Sequence, residues 1–167
     1  MPFPYYQKLD AKQKALYRRS ASIVGIEIER PETVYPRVEA LRAALVTGEL
    51  STVESASAAV LDALTDKLSV QPVAVEILAV RPKSATSELH GQYQPCDDDP
   101  FIQVWMRTAE RQQVVAFKTF LRTLVHELCH HLDYVLLELP DSLHTEGFFQ
   151  RESSLMAQLL PERPGLA

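Results

Sequence analysis

Two short runs decide how this chain is read: His126-Glu127-Leu128-Cys129-His130, and, after 13 intervening residues, His144-Thr145-Glu146-Gly147-Phe148. The first has the pattern H-E-x-x-H. Residues four apart on a helix lie about 40° apart around the axis and one turn along it, so two imidazoles so placed can face one metal ion. The Glu after the first His leaves the helix at a different angle. It can reach water at the ion and take its proton. A shuffled chain with 5 His and 14 Glu gives the pattern only about 1% of the time.

The surrounding residues favour a helix of roughly 110–137. Val114, Phe117, Leu121, Leu124, Leu128, Leu132 and Val135 form an apolar stripe, and projection sets His126, His130 and Asp133 on the other side. Catalytic zinc sites commonly use three protein ligands and keep one position for water. His144, at a loop-to-helix junction after Pro140-Asp141-Ser142, is the expected third ligand. Glu152, two turns later, is the alternative and would make a His₂Glu site. Asp133 is short and a turn beyond the ion, which suits holding an imidazole N–H or an arginine. Arg151 is read either as the brace on that carboxylate or as a surface residue.

Working outward, helices are expected over 10–19, 35–47 and 52–68. Asp10 with Gln13, and Ser51 with Glu54, read as capping boxes. Val34, Val38, Leu41 and Leu45 recur at helical spacing before Gly48. Residues 73–80 read as a strand buried on both faces, 81–86 as a loop, 87–94 as a second strand and 101–107 as a third. Pro95-Cys96-Asp97-Asp98-Asp99-Pro100 reads as a solvated turn without the spacing of a calcium loop. A last helix is expected over 145–160. Helices, a small sheet, then helices make an α+β pattern. A single domain over 1–167 is expected, with a helical part (1–70) preceding a core (71–160).

Composition narrows the class. At 167 residues, 46% hydrophobic and 23% charged, the chain has ordinary globular usage. Its net charge of −5 does not point to nucleic acid as a partner. The opening residues lack a signal-peptide pattern and no apolar run is long enough for a membrane span, so a cytoplasmic protein is expected. Cys96 and Cys129 form neither a disulfide framework nor a four-cysteine zinc site. Cys129, about 60° from His126 around the helix, reads as a small buried residue, and His131, about 140° away, as lying off the metal. If 87–94 borders a cleft, His90 or Tyr93 is placed to donate to an oxyanion; otherwise they are ordinary strand residues.

The two quoted runs resemble the SprT-like zinc metallopeptidases, whose pattern is an H-E-x-x-H helix, a connector of similar length, and a third His with an aromatic residue four places on. The Gly91-x-Tyr93 strand, Ile102-Gln103-Val104 and the long helix occur in the same order, so the resemblance spans roughly 86–155. It implies a zincin-like fold, Zn²⁺ at His126, His130 and His144, Glu127 as general base, and a peptide or protein substrate. It further implies that strand 101–107 borders the cleft and pairs with an extended peptide. Family members often add a cysteine-rich ribbon or DNA-binding tail, to which nothing here corresponds.

Overall fold

The computed structural model describes residues 1–83, 88–96 and 98–161. Asp97 of the expected turn, residues 84–86 of the expected loop with residue 87 at the start of the expected second strand, and the tail from 162 lie outside the described residues. Among those described, five helices surround a three-stranded mixed sheet, an α+β arrangement. The helices are α1 (Ala11–Ser22), α2 (Tyr35–Thr47), α3 (Leu50–Lys67), α4 (Phe117–Val135) and α5 (Glu146–Leu159). The strands are β1 (Ala74–Val80), β2 (Gly91–Gln94) and β3 (Phe101–Arg107), and a 3-10 turn, Pro4–Lys8, precedes α1.

Local chemistry sets most boundaries. Asp10 accepts from the Gln13 N–H and the Gln13 side chain accepts from the Asp10 N–H, the reciprocal cap expected of α1. Gly48 ends α2 at φ 68, a left-handed conformation that glycine adopts without a Cβ clash. The cap expected from Ser51 and Glu54 is not formed, because α3 starts at Leu50 and both residues lie inside it. Glu54 instead accepts from the Ile77 N–H at 3.0 Å, so a helix carboxylate covers an unpaired donor of β1.

Strand order is β1-β3-β2, with β1 parallel and β2 antiparallel to β3. This overturns two expectations. β1 is an edge strand in which only Ile77 is fully buried, rather than one buried on both faces; its apolar run covers a half-exposed edge. β3 is central and paired on both sides, so it offers no free edge to a peptide. That edge belongs to β2, which is shorter than the expected 87–94.

Helix α4 also begins later than expected. The chain turns back on itself over Thr108–Gln113, with Gln112 at φ 52, and Val115 N–H bonds Met106 C=O at 2.8 Å before α4 starts. The apolar stripe of α4 is buried as expected at Leu121, Leu124, Leu128 and Leu132. Burial extends further round the helix, to Glu127, Cys129, His131 and Asp133, because the sheet, α2 and α5 enclose it. One hydrophobic core joins α2, α3, the sheet, α4 and α5. No described helix is long and apolar enough to cross a membrane.

Candidate metal centre

The structure brings His126, His130 and His144 together. Each offers one nitrogen such that the three atoms lie within 4.8 Å of one another, and the ring centroids stand 4.9 to 5.1 Å apart. His126 and His130 come from one face of α4. His144 comes from the irregular segment that follows it, returned to the site where Thr145 caps α5 by accepting from Phe148 N–H at 3.0 Å. The Phe148 ring, fully buried, packs against all three imidazoles with centroids 4.7 to 5.1 Å away.

Hydrogen bonds fix how two of the rings face. His126 Nδ1 lies 2.6 Å from Glu152 Oε1, and a carboxylate only accepts, so Nδ1 carries the proton and Nε2 is left free. His130 Nδ1 lies 2.7 Å from Ser142 Oγ, whose own proton goes to Asp133 Oδ2 at 2.7 Å. His130 Nδ1–H therefore donates to Ser142, and its Nε2 faces the shared space, 3.0 Å from His144 Nε2. Ligand nitrogens around a tetrahedral ion with bonds of about 2.0–2.1 Å stand roughly 3.3 Å apart. One pair stands at nearly that separation, all three donor nitrogens lie within 4.8 Å of one another, and two rings have their second nitrogen engaged elsewhere; together they fit a metal ion.

Glu152, the alternative third ligand, has both oxygens engaged away from that space, one by His126 and one by Arg122 at 3.0 Å. Burial works to raise its carboxyl, but the bonds from His126 and Arg122 outweigh it and hold the group below its ordinary value. Asp133 reaches an imidazole through one hydroxyl and an arginine directly. Its Oδ1 accepts from Arg151 Nη2 at 3.0 Å, both side chains being fully buried.

The electrostatics suit neutral ligands beside a proton carrier. Burial pushes His130 down to about 3, with His126 and His144 adding like-charge repulsion. His144 is lowered by burial first and by His126 next, with Glu152 opposing. Burial raises Glu127 to about 7; His126 opposes the rise and Glu152 adds to it. Glu127 faces two clefts of about 390 and 420 Å³ that meet at Gly91, His126 and Glu127. Tyr93 and Tyr134 line one, and Arg122 and Phe149 the other. Gly91 allows this closeness, since a Cβ there would sit 2.9 Å from Thr123 Cγ2 and 3.2 Å from Glu127 Cγ.

Other expected roles divide. His90 lines a cleft and is half exposed. Tyr93 is not a free donor: His131 Nε2–H donates to the Gln71 carbonyl at 2.7 Å, so His131 Nδ1 accepts the Tyr93 proton at 2.9 Å. That pairing also keeps His131 off the metal space. Cys129 is fully buried with its thiol pushed up by burial, and Cys96 is exposed; both are free.

Several residues that build the site carry no sequence signal. Ser142 is one. The rest come from the N-terminus: the Tyr5 hydroxyl donates to the His144 carbonyl, Tyr17 donates to Glu146 Oε2 at 2.8 Å, and Ser20 Oγ pairs with Thr145 Oγ1 at 3.0 Å. Neither family models, nor curated proteins, nor solved structures give a match to this chain.

Proposed function

We propose that this chain is a zinc-dependent peptide hydrolase with a zincin-like fold, acting in the cytoplasm. The observation that carries the reading is the triangle of His126, His130 and His144 with the raised carboxyl of Glu127 beside it. The resemblance of residues 126–148 to the SprT-like metallopeptidases points the same way, and both cysteines stand as free thiols, as a reducing compartment keeps them.

Zinc held by the three histidines would polarise a peptide carbonyl and make water acidic near neutral pH. The chain's own residues then have defined tasks. Glu152 and the Ser142–Asp133 pair hold His126 and His130 in the tautomer that leaves Nε2 free. Glu127 takes a proton from the attacking water as the C–O bond forms, and gives it to the nitrogen as the C–N bond breaks. The free edge of β2 beside Glu127 offers backbone donors and acceptors to an extended peptide.

Glu127→Gln is the test, with zinc content by elemental analysis and hydrolysis of an unstructured protein such as casein as readouts. Wild type is expected to hold about one zinc per chain and to cleave. The variant is expected to hold zinc and not cleave, since an amide fills the same space but is no base. Zinc binding without cleavage in the wild type would leave a metal-binding module and overturn the catalytic reading.

A further inference from the structure

The three imidazoles are held in two different ways. His126 and His130 each have Nδ1 fixed by a partner, Glu152 and Ser142 respectively. The His144 ring has no such partner among the described residues; its only side-chain bond is to His130, through the nitrogen facing the shared space. It is also the most exposed of the three and stands on a segment, 136–145, with no helix or strand of its own. What holds it is main chain. Its carbonyl accepts from the Tyr5 hydroxyl, Thr145 is tied to Ser20, and Glu146 is tied to Tyr17.

The 3-10 turn that carries Tyr5 has no buried residue of its own. Tyr17 anchors it, accepting from Phe3 N–H at 2.9 Å and meeting the Tyr5 and Tyr6 rings edge-on at 5.5 and 5.0 Å. Phe3 meets the Phe149 ring at 6.1 Å, closing the turn over the start of α5. A feature 139 positions away in sequence thus orients the backbone of the third donor.

We propose that Tyr5 is a positioning residue for His144, doing through the main chain what Glu152 and Ser142 do through the rings of the other two histidines. The proposal rests on the metal-centre reading. It makes the N-terminal turn part of the metal site rather than a covering for it.

The test compares zinc affinity, by chelator competition, in wild type, Tyr5→Phe and Tyr6→Phe, with the visible absorption of the cobalt-substituted proteins as a second readout. Both substitutions remove one hydroxyl from the same turn and keep the ring, but among the described residues the Tyr6 hydroxyl bonds Arg18, at 2.7 Å, and not His144. Tyr5→Phe is expected to weaken zinc by about 10-fold or more, the usual cost of losing a group that orients a ligand, and to shift the cobalt bands. Tyr6→Phe is expected to do neither. Equal affinities in Tyr5→Phe and wild type, or an equal loss in both variants, would overturn the proposal while leaving the metal centre standing. A wild type that binds no zinc would overturn the metal centre, and the proposal with it.

Discussion

Arg151→Met probes the most enclosed charge pair in the molecule. Arg151 donates to the Ser20 and Ile23 carbonyls at 2.7 Å each, to Ser20 Oγ at 3.2 Å and to Asp133 Oδ1 at 3.0 Å, and neither it nor Asp133 is exposed. Methionine keeps much of the apolar stem and removes every donor. Asp133 then stays buried with only Ser142 donating to it, and the last carbonyls of α1 lose their cap. Breaking a buried pair by removing one partner costs about 3–5 kcal/mol. A chain of this size loses roughly 2–4 °C of melting temperature per kcal/mol, so a fall on the order of 10–15 °C is expected. Urea unfolding of the metal-free protein measures it without interference from zinc. The loss has a ceiling, because Asp133, already raised by burial against the opposing pull of Arg151, can take up a proton instead. The deficit should therefore shrink as pH falls, and Asp133→Asn added to Arg151→Met should recover part of it. A single-variant loss under about 1 kcal/mol, typical of an exposed pair, would refute the view that Arg151 ties α5 to both α1 and α4.

Three further outcomes are expected. Ser142→Ala should weaken zinc about 10–100-fold, measured by chelator competition, because it cuts His130 from Asp133, and should cost about 1–3 kcal/mol of metal-free stability, because the buried Asp133 carboxylate loses a donor. Gly147→Ala should destabilise by about 1–3 kcal/mol or more in urea unfolding, since a Cβ there would lie 2.4 Å from the Ser20 carbonyl oxygen and 2.7 Å from that of Ala21, both backbone atoms. Metal-free protein should lose stability as pH falls below 6.5. His130 is depressed to about 3, with His131 and His144 also lowered, so across that range the unfolded chain binds protons that the folded chain refuses. Glu127, raised to about 7, binds its proton earlier in the folded state and opposes the trend from about 7 down to its ordinary 4.5; in Glu127→Gln the loss between 6.5 and 4.5 should be steeper, as followed by melting temperature against pH.

What the sequence revealed was what repeats locally. The helical spacing of Val38, Leu41 and Leu45, the Asp10–Gln13 cap and the four-residue step from His126 to His130 are properties of one helix, legible without knowing what packs on it. The errors came where a partner decides. Residues 73–80 look the same whether covered on two faces or one, and only the order β1-β3-β2 makes them an edge. Glu54 has the spacing of a cap partner for Ser51, yet the edge of β1 offers it a better donor. Tyr93 looks like a cleft donor until His131, on the far side of α4 from the metal space, claims its proton. His144 was reachable because its spacing from His130 is short. Ser142 and Tyr5 were not, since nothing in a serine within a loop or a tyrosine near the start of a chain says which atom it will meet.

The close approach of α1 to α5 at Gly147 has a consequence for when the centre can come into being. Two histidines and the carboxylate lie within five consecutive residues, 126–130, but what holds the third donor combines residues 5, 17 and 20 with 144–151. Contacts so distant in sequence form late, because the loop between them must close first. During synthesis the N-terminal turn, anchored on Tyr17, has no contact with His144 until that residue has cleared the ribosome. A chain interrupted before residue 144 lacks the third imidazole, and one interrupted before 151 lacks part of what holds it. The arrangement makes synthesis through residue 151 a condition for the three imidazoles to be held together, and a copy that stops short of it stays without that geometry.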